Sequence, residues 1–245
     1  MRMDFSFTTQ FCVTPLHADC FGRCKPSSLL RFAQDAAEAH CLLLGADWDT
    51  MAEKNYFWAV IRQRLEITRL PKAGETVTVK TWPMPTKVAY PRATEGFDAE
   101  GNSLFKVSSV WVIMDMTSRT MVLPGKSGVE VAGTTYGTEL KVPGGLPKCT
   151  PQRQTQRTVS FSDLDINGHM NNTRYLDWVC DLLSAAYHKE HPLKAITICY
   201  MNEALEGQTL QLDISQGDVF RVDGFLPETD VAAGHTRVFS AQAEF

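Results

Sequence analysis

The chain states the same order of elements twice, and that repetition narrows its possible folds more than any other feature. An extended segment, Phe5–Val13, precedes a turn-rich stretch, and Pro26-Ser27-Ser28 then opens an apolar helix to about Leu44. Pro and Ser ahead of an apolar run mark a helix start. Strand patterns follow at Phe57–Thr68, Thr76–Trp82, Ala89–Asp98 and Leu104–Asp115, punctuated by turns at Lys72-Ala73-Gly74 and Asp98–Gly101. The second half opens with extended Thr155–Phe161, continues through a polar segment, and enters a helix from an Asn172 cap to about His188. Its strands are expected at Ala195–Asn202, Leu210–Ser215, Val219–Phe225 and His235–Phe245. A shift of 146 residues sets Gly22 on Gly168, Asp19 on Asp165, Phe21 on Asn167 and Arg23 on His169. Such repetition predicts duplication of one α+β unit. The expected organisation is an N-terminal unit over 1–141, a Pro- and Gly-rich linker over 142–151 and a C-terminal unit over 152–245.

The first helix is rich in Ala and Leu on most faces, which predicts deep burial. In the second, Tyr175, Leu176, Val179, Leu182, Leu183 and Ala186 form an apolar stripe at helical spacing. With 245 residues and a formal net charge of -4, the chain is long enough for one or two cores and too acidic for an ordinary nucleic-acid binder. Local basic patches could still meet an acidic partner, from Arg62, Arg64 and Arg69 with Lys72, or from Arg23, Lys25 and Arg31. No stretch approaches the roughly 20 apolar residues of a membrane span, and the first residues lack a signal-peptide core. Seven cysteines at 12, 20, 24, 41, 149, 180 and 199 show no metal-ligand spacing and read as reduced, mostly buried thiols. The expected place is the cytoplasm.

Chemistry concentrates between Ser160 and Tyr175. Asp165, Asn167 and His169 alternate there, and in an extended segment alternate side chains share a side. A carboxylate, an amide and an imidazole together could supply a base, a positioning group and a proton shuttle. The competing reading is a solvated edge whose polar side faces water. Asp163-x-Asp165-x-Asn167-Gly168 begins like a calcium loop, but Arg174 stands where the bidentate Glu is required, and no helix precedes it. Gly125-Lys126-Ser127-Gly128-Val129 falls short of a nucleophile elbow because Val replaces the closing Gly. No phosphate loop or dinucleotide fingerprint is present. Neither a metal nor a cofactor is expected.

Asp-Leu-Asp-x-Asn-x-His-x-Asn-Asn-x-x-Tyr at 163–175, with Trp178 beyond, resembles the signature of acyl-acyl carrier protein (acyl-ACP) thioesterases. Phe57-Trp58-Ala59-Val60, Thr81-Trp82-Pro83, Arg92, Ser109-Val110-Trp111-Val112 and Asp115 resemble that family's first-half strands. Cys199-Tyr200-Met201-Asn202-Glu203 resembles the segment bearing its further catalytic Glu. The resemblance implies a bacterial relative of the plant enzymes and a double hotdog fold, two copies of a long helix wrapped by an antiparallel sheet. It implies Asp165, Asn167, His169 and Glu203 as the catalytic set. Plant members carry a Cys after the Glu; Ala204 stands here, so no thiol can act from that position.

The implied reaction is hydrolysis of fatty acyl-ACP thioesters in fatty acid biosynthesis, with acyl carrier protein as partner. Trp58, Trp111 and Phe32 are candidate linings for an acyl chain held by the first unit. Homodimerisation is an option that such sheets offer. Two other functions are weighed, an acyl-coenzyme A thioesterase of the hotdog class and a non-catalytic fatty-acyl-binding protein. Retaining a polar set that costs desolvation counts against a pure binder.

Overall fold

The computed structural model describes residues 5–227 and 236–245. The chain divides into two compact units, Met1–Pro143 and Gly144–Phe245. The first comprises β1 (Phe7–Cys12), α1 (Pro26–Leu43), α2 (Trp48–Glu53), β2 (Tyr56–Ile67), β3 (Thr76–Pro83), β4 (Tyr90–Phe97), β5 (Ser103–Asp115), β6 (Met121–Val122) and α3 (Pro124–Ser127). The second comprises β7 (Arg153–Thr158), α4 (Asn172–Asp181), α5 (Ala185–Glu190), β8 (Ala195–Tyr200), β9 (Thr209–Gln216), β10 (Phe220–Leu226) and β11 (Thr236–Glu244).

Each unit is an antiparallel sheet with a helix against it. The first sheet runs β1-β3-β4-β5-β2, with β6 beside β5; the second runs β7-β9-β10-β11-β8. These are one topology used twice, β1 corresponding to β7, β3 to β9, β4 to β10, β5 to β11 and β2 to β8. Registers agree residue by residue. Phe7 opposes Thr81 as Arg153 opposes Ile214, and Gly96 opposes Phe105 as Gly224 opposes Phe239. In both pairs the Phe ring occupies the space a Cβ on the Gly would fill, 2.1 Å from it at Gly96 and 2.2 Å at Gly224. Both sheets also slip register directly after that glycine. An aromatic lying over a cross-strand glycine pins register, so the two sheets are fixed by the same device.

α1 is buried along Leu29, Leu30, Phe32, Ala33, Ala36, Ala37 and His40, as its composition predicts. The second helix departs from expectation. It ends at Asp181, and the Ser184 Oγ accepts the Tyr187 N–H at 3.2 Å to start α5. A serine oxygen offered to the backbone competes with helix continuation, and Ala186, expected in the apolar stripe, is exposed. The cap is Asn171 rather than Asn172; its Oδ1 accepts the Thr173 N–H at 2.9 Å and the Thr173 hydroxyl at 2.7 Å. The strand expected over 155–161 stops at Thr158, and Phe161 enters a single 3₁₀ turn through Asp163. The β11 strand begins at Thr236, and His235 lies outside the described residues.

Sequence reading missed α2, although Asp47 carries its signal. That side chain accepts the N–H groups of Asp49 and Thr50, an N-cap on a helix too short to show periodicity. Residues 129–152 hold no helix or strand. They are tied down nonetheless, Thr134 N–H donating to Pro83 O at 3.0 Å and Cys149 N–H to Asp223 Oδ2 at 2.6 Å. Ser127, the residue of the rejected elbow, is buried and bonded to Pro124 O and Tyr90.

Candidate active site

The polar segment of the second unit is a tight turn, not the extended run its alternation suggested. Leu164 bridges Met170, Asp165 N–H donates to His169 O at 2.8 Å, and Gly168 N–H returns to Asp165 O at 3.0 Å. Gly168 has φ +75°, a conformation that costs glycine little and other residues more. The Asp165 Oδ1 accepts the N–H groups of Asn167 at 2.8 Å and His169 at 3.2 Å. Asp165 therefore organises the loop through its own backbone, the habit that makes Asp a turn residue. Convergence does not come from a strand's alternation: Asn167 and Ile166 are both exposed at the tip, Ile166 at 86%.

His169 and Glu203 do come together. His169 bridges Leu205, Met170 N–H donates to Ala204 O at 2.8 Å, and the His169 Nε2 lies 3.4 Å from Glu203 Oε2. The His169 side chain is 19% exposed and that of Glu203 45%, so the pair is reachable from solvent. Below it, Tyr175 on α4 is buried and packs edge-on against Phe239 and Tyr200, while Tyr200 donates its hydroxyl to Asn172 O at 3.0 Å. Burial, with Asp165 and Glu203 nearby, pushes the Tyr175 phenol above its ordinary range, so it stays neutral. The buried Oδ1 of Asn172 has no hydrogen-bond partner among the described residues. The turn is braced from behind by Asp163, buried, which accepts from Arg174 Nε at 3.0 Å and from Ser160 N–H at 3.1 Å. In the sequence Asp163 and Arg174 bear only on the rejected calcium loop and Tyr175 only on the apolar stripe of the helix, although all three lie within residues 163–175.

The first unit carries the same loop without the chemistry. Asp19 accepts the N–H groups of Phe21 and Arg23 at 2.9 and 3.0 Å, Ala18 bridges Cys24, and Gly22 has φ +74°. Cys24 N–H donates to Pro71 O as Met170 N–H does to Ala204 O, which sets Leu70 opposite Glu203. Arg23 replaces the imidazole and folds back onto Asp19 at 3.2 Å. The duplication thus keeps the aspartate turn in both units and the His–Glu pair in one.

Trp58 and Trp111 pack against one cluster, formed by Ala46, Met51, Tyr90, Ile113 and Val129. Their indoles are bonded, Trp58 to Ala46 O and Trp111 to Ser109 Oγ, each at 2.8 Å. Phe32 is not with them; it stacks on Phe11 at 4.7 Å and meets His17 edge-on. All seven cysteines are free, but only Cys24 and Cys199 are buried, while Cys12 and Cys20 are exposed. Among the described residues no group of three His, Cys, Asp or Glu could hold a metal ion. No helix among them is long and apolar enough to cross a membrane.

Both units of the chain match known proteins. Residues 4–123 match the acyl-ACP thioesterase N-terminal domain, and residues 148–232 match its C-terminal domain. The chain is 28% identical over 200 residues to the palmitoyl-acyl carrier protein thioesterase of Gossypium hirsutum, covering 75% of this chain and 48% of that one. To the dodecanoyl-[acyl-carrier-protein] hydrolase of Cinnamomum camphora it is 26% identical over 204 residues, covering 75% and 52%. The chain therefore spans about half the length of the curated relatives it matches. Among solved structures, an acyl-ACP thioesterase from Bacteroides thetaiotaomicron superposes with a TM-score of 0.86 at 24% identity, covering 98% and 97% of the two chains. The 12:0-ACP thioesterase from Umbellularia californica superposes with 0.79 at 21%, again covering 98% and 97%. The shared architecture is the hotdog fold in tandem, and this chain belongs to the acyl-ACP thioesterase family.

Proposed function

We propose that the chain hydrolyses fatty acyl-ACP thioesters to free fatty acid and carrier thiol, using water activated at the His169–Glu203 pair. The observation that carries the reading is the 3.4 Å approach of imidazole to carboxylate beside a turn whose sister copy lacks both groups. One member of the pair takes a proton from water as its oxygen attacks the thioester carbonyl. Collapse of the tetrahedral intermediate expels the carrier's sulfur as thiolate, which recovers the proton. Backbone N–H groups at the start of α4 are suited to the transient oxyanion, because helix N-termini favour negative charge. In this reading Asp165 positions His169 through the turn, and exposed Asn167 orients water or the arriving acyl group. The first unit holds the acyl chain, with Trp58 and Trp111 along it. Acyl carrier protein is the partner, and the cytoplasm the setting.

The test is release of free thiol from acyl-ACP and from acyl-coenzyme A carrying the same chain. The purified protein should favour the carrier-bound substrate, and His169→Ala and Glu203→Ala should each lower turnover by at least ~10². Near-normal hydrolysis by both variants removes the pair from the mechanism. Preference for the coenzyme A ester would redirect the reading to that substrate class.

A further inference from the structure

The duplication supplies an internal control for the core. In the second unit, Phe239 packs on Tyr175 of α4, so its side of the sheet faces the helix. Positions sharing that side include Ile196, Ile198, Leu212, Ile214, Phe220, Val222, Ala241 and Ala243, all buried and apolar. Registers carry all eight onto the first unit, where Ile198, Leu212 and Ala241 become Leu65, Val79 and Val107 and stay apolar, while the other five turn polar. Ile214 becomes Thr81, Val222 becomes Thr94, Phe220 becomes Arg92, Ala243 becomes Ser109 and Ile196 becomes Gln63. All five are polar, and all five are buried. The second unit proves that the scaffold closes with hydrocarbon here, so folding alone does not call for a polar layer.

Arg92 is the centre of that layer. It is 7% exposed. Its Nη1 donates to His40 Nδ1 and to Thr81 Oγ1, each at 3.2 Å, and Nη2 approaches Cys41 Sγ at 3.6 Å. Thr81 donates to Ala93 O at 3.1 Å and meets Thr94 Oγ1 at 2.9 Å. No carboxylate among the described residues pairs with the guanidinium. Glu38, on the same helix as His40, is exposed and accepts the Trp48 N–H instead. A buried cation with no carboxylate in hydrogen-bonding contact, Glu38 acting on it only at a distance, is costly, and an arriving anion would offset that cost. Across from it, α1 presents Ala33, Ala36 and Ala37, the smallest side chains that keep a helix.

We propose that this layer is a recognition site for the carboxylate of a fatty-acid-like ligand, anchored by Arg92 and supported by His40 and Thr81. The inference rests on the thioesterase reading for the class of ligand, and it deepens that reading. Two sources share the chemistry, the head of a free fatty acid and an acid group at the far end of a carrier-bound chain.

Calorimetry of the whole chain with hexadecanoate, and with hexadecanol as the neutral control, tests recognition without turnover. Arg92→Met should weaken hexadecanoate by ~10–100-fold, the loss of one charge-assisted bond, and leave hexadecanol unmoved. Arg92→Lys should keep part of the binding, and Thr81→Val, which copies the apolar sister position, should lose several-fold should Arg92→Met fail to fold. Hydrolysis separates the sources. If the far end is read, a carrier-bound chain ending in a carboxylate has a higher kcat/KM than one ending in methyl, and Arg92→Met abolishes that preference. If the free acid is read, hexadecanoate inhibits hydrolysis and Arg92→Met relieves it. Wild type and Arg92→Met agreeing within ~3-fold in every arm overturns the proposal. Absent hydrolysis of every substrate would sink the thioesterase reading instead, and leave the calorimetric result to stand alone.

Discussion

Replacing Asp165 by Asn separates two roles that a carboxylate beside a histidine could have. The structure gives its Oδ1 to two backbone N–H groups, at 2.8 and 3.2 Å, and Asp19 does the same in a unit with neither His nor Glu at the matching places. The carboxylate is then a turn element, and an amide oxygen can serve in its stead. Bonds to a charged acceptor contribute ~1.5–3 kcal/mol when sheltered and less where the loop meets water, and neutral acceptors are about half as strong. Asp165→Asn should therefore cost ~1 kcal/mol, and Asp165→Ala ~2–3 kcal/mol. Asp19→Asn and Asp19→Ala should match these within ~1 kcal/mol, the half-buried ion pair to Arg23 adding no more than that. Urea unfolding of the four variants measures stability, and thiol release measures turnover. Asp165→Asn should lose no more than several-fold in kcat. A ~10²-fold loss at the stability of Asp19→Asn would refute the reasoning and make the carboxylate a participant in proton transfer.

Two further outcomes follow from packing and burial. Gly96→Ala and Gly224→Ala each set a methyl carbon inside a Phe ring, at Phe105 and Phe239, and should destabilise by ~1–3 kcal/mol in thermal unfolding; the larger-to-smaller partner changes Phe105→Leu and Phe239→Leu should recover part of it. A thiol-specific reagent at neutral pH should label Cys12 and Cys20 first. Burial pushes Cys24 and Cys180 up to about 12 and, with Asp223 adding, Cys149 up to about 11, so these three react slowly; hydrolysis should survive labelling of the exposed pair, as expected where Ala204 leaves no thiol beside Glu203.

The order of elements was legible because each long strand and α1 carry their own periodicity or cap. The duplication was legible too, though a Gly and an Asp at fixed offset gave only a hint of it. The registers, and the Gly–Phe pairs at 96–105 and 224–239, lie across strands and leave no mark on a linear reading. The approach of His169 to Glu203 came from family resemblance, since 33 intervening positions separate residues that a β-bridge at Leu205 brings back together. Geometry of the turn was misread: polar alternation looked like a strand, while Gly168 at positive φ and the Asp165 side chain bent the chain instead. The polar layer around Arg92 was invisible for a different reason. Thr81, Thr94 and Ser109 are ordinary strand residues, and only their sister positions show that something else could have stood there.

Joining two copies in one polypeptide has a genetic consequence. In a symmetric pair of identical subunits, any substitution is made twice, and a change that helps one end must be tolerated at the other. Here each codon is expressed once per pair of units. Leucine at 70 and glutamate at 203 can be tuned separately, so selection on one end leaves its opposite number free to drift or to specialise.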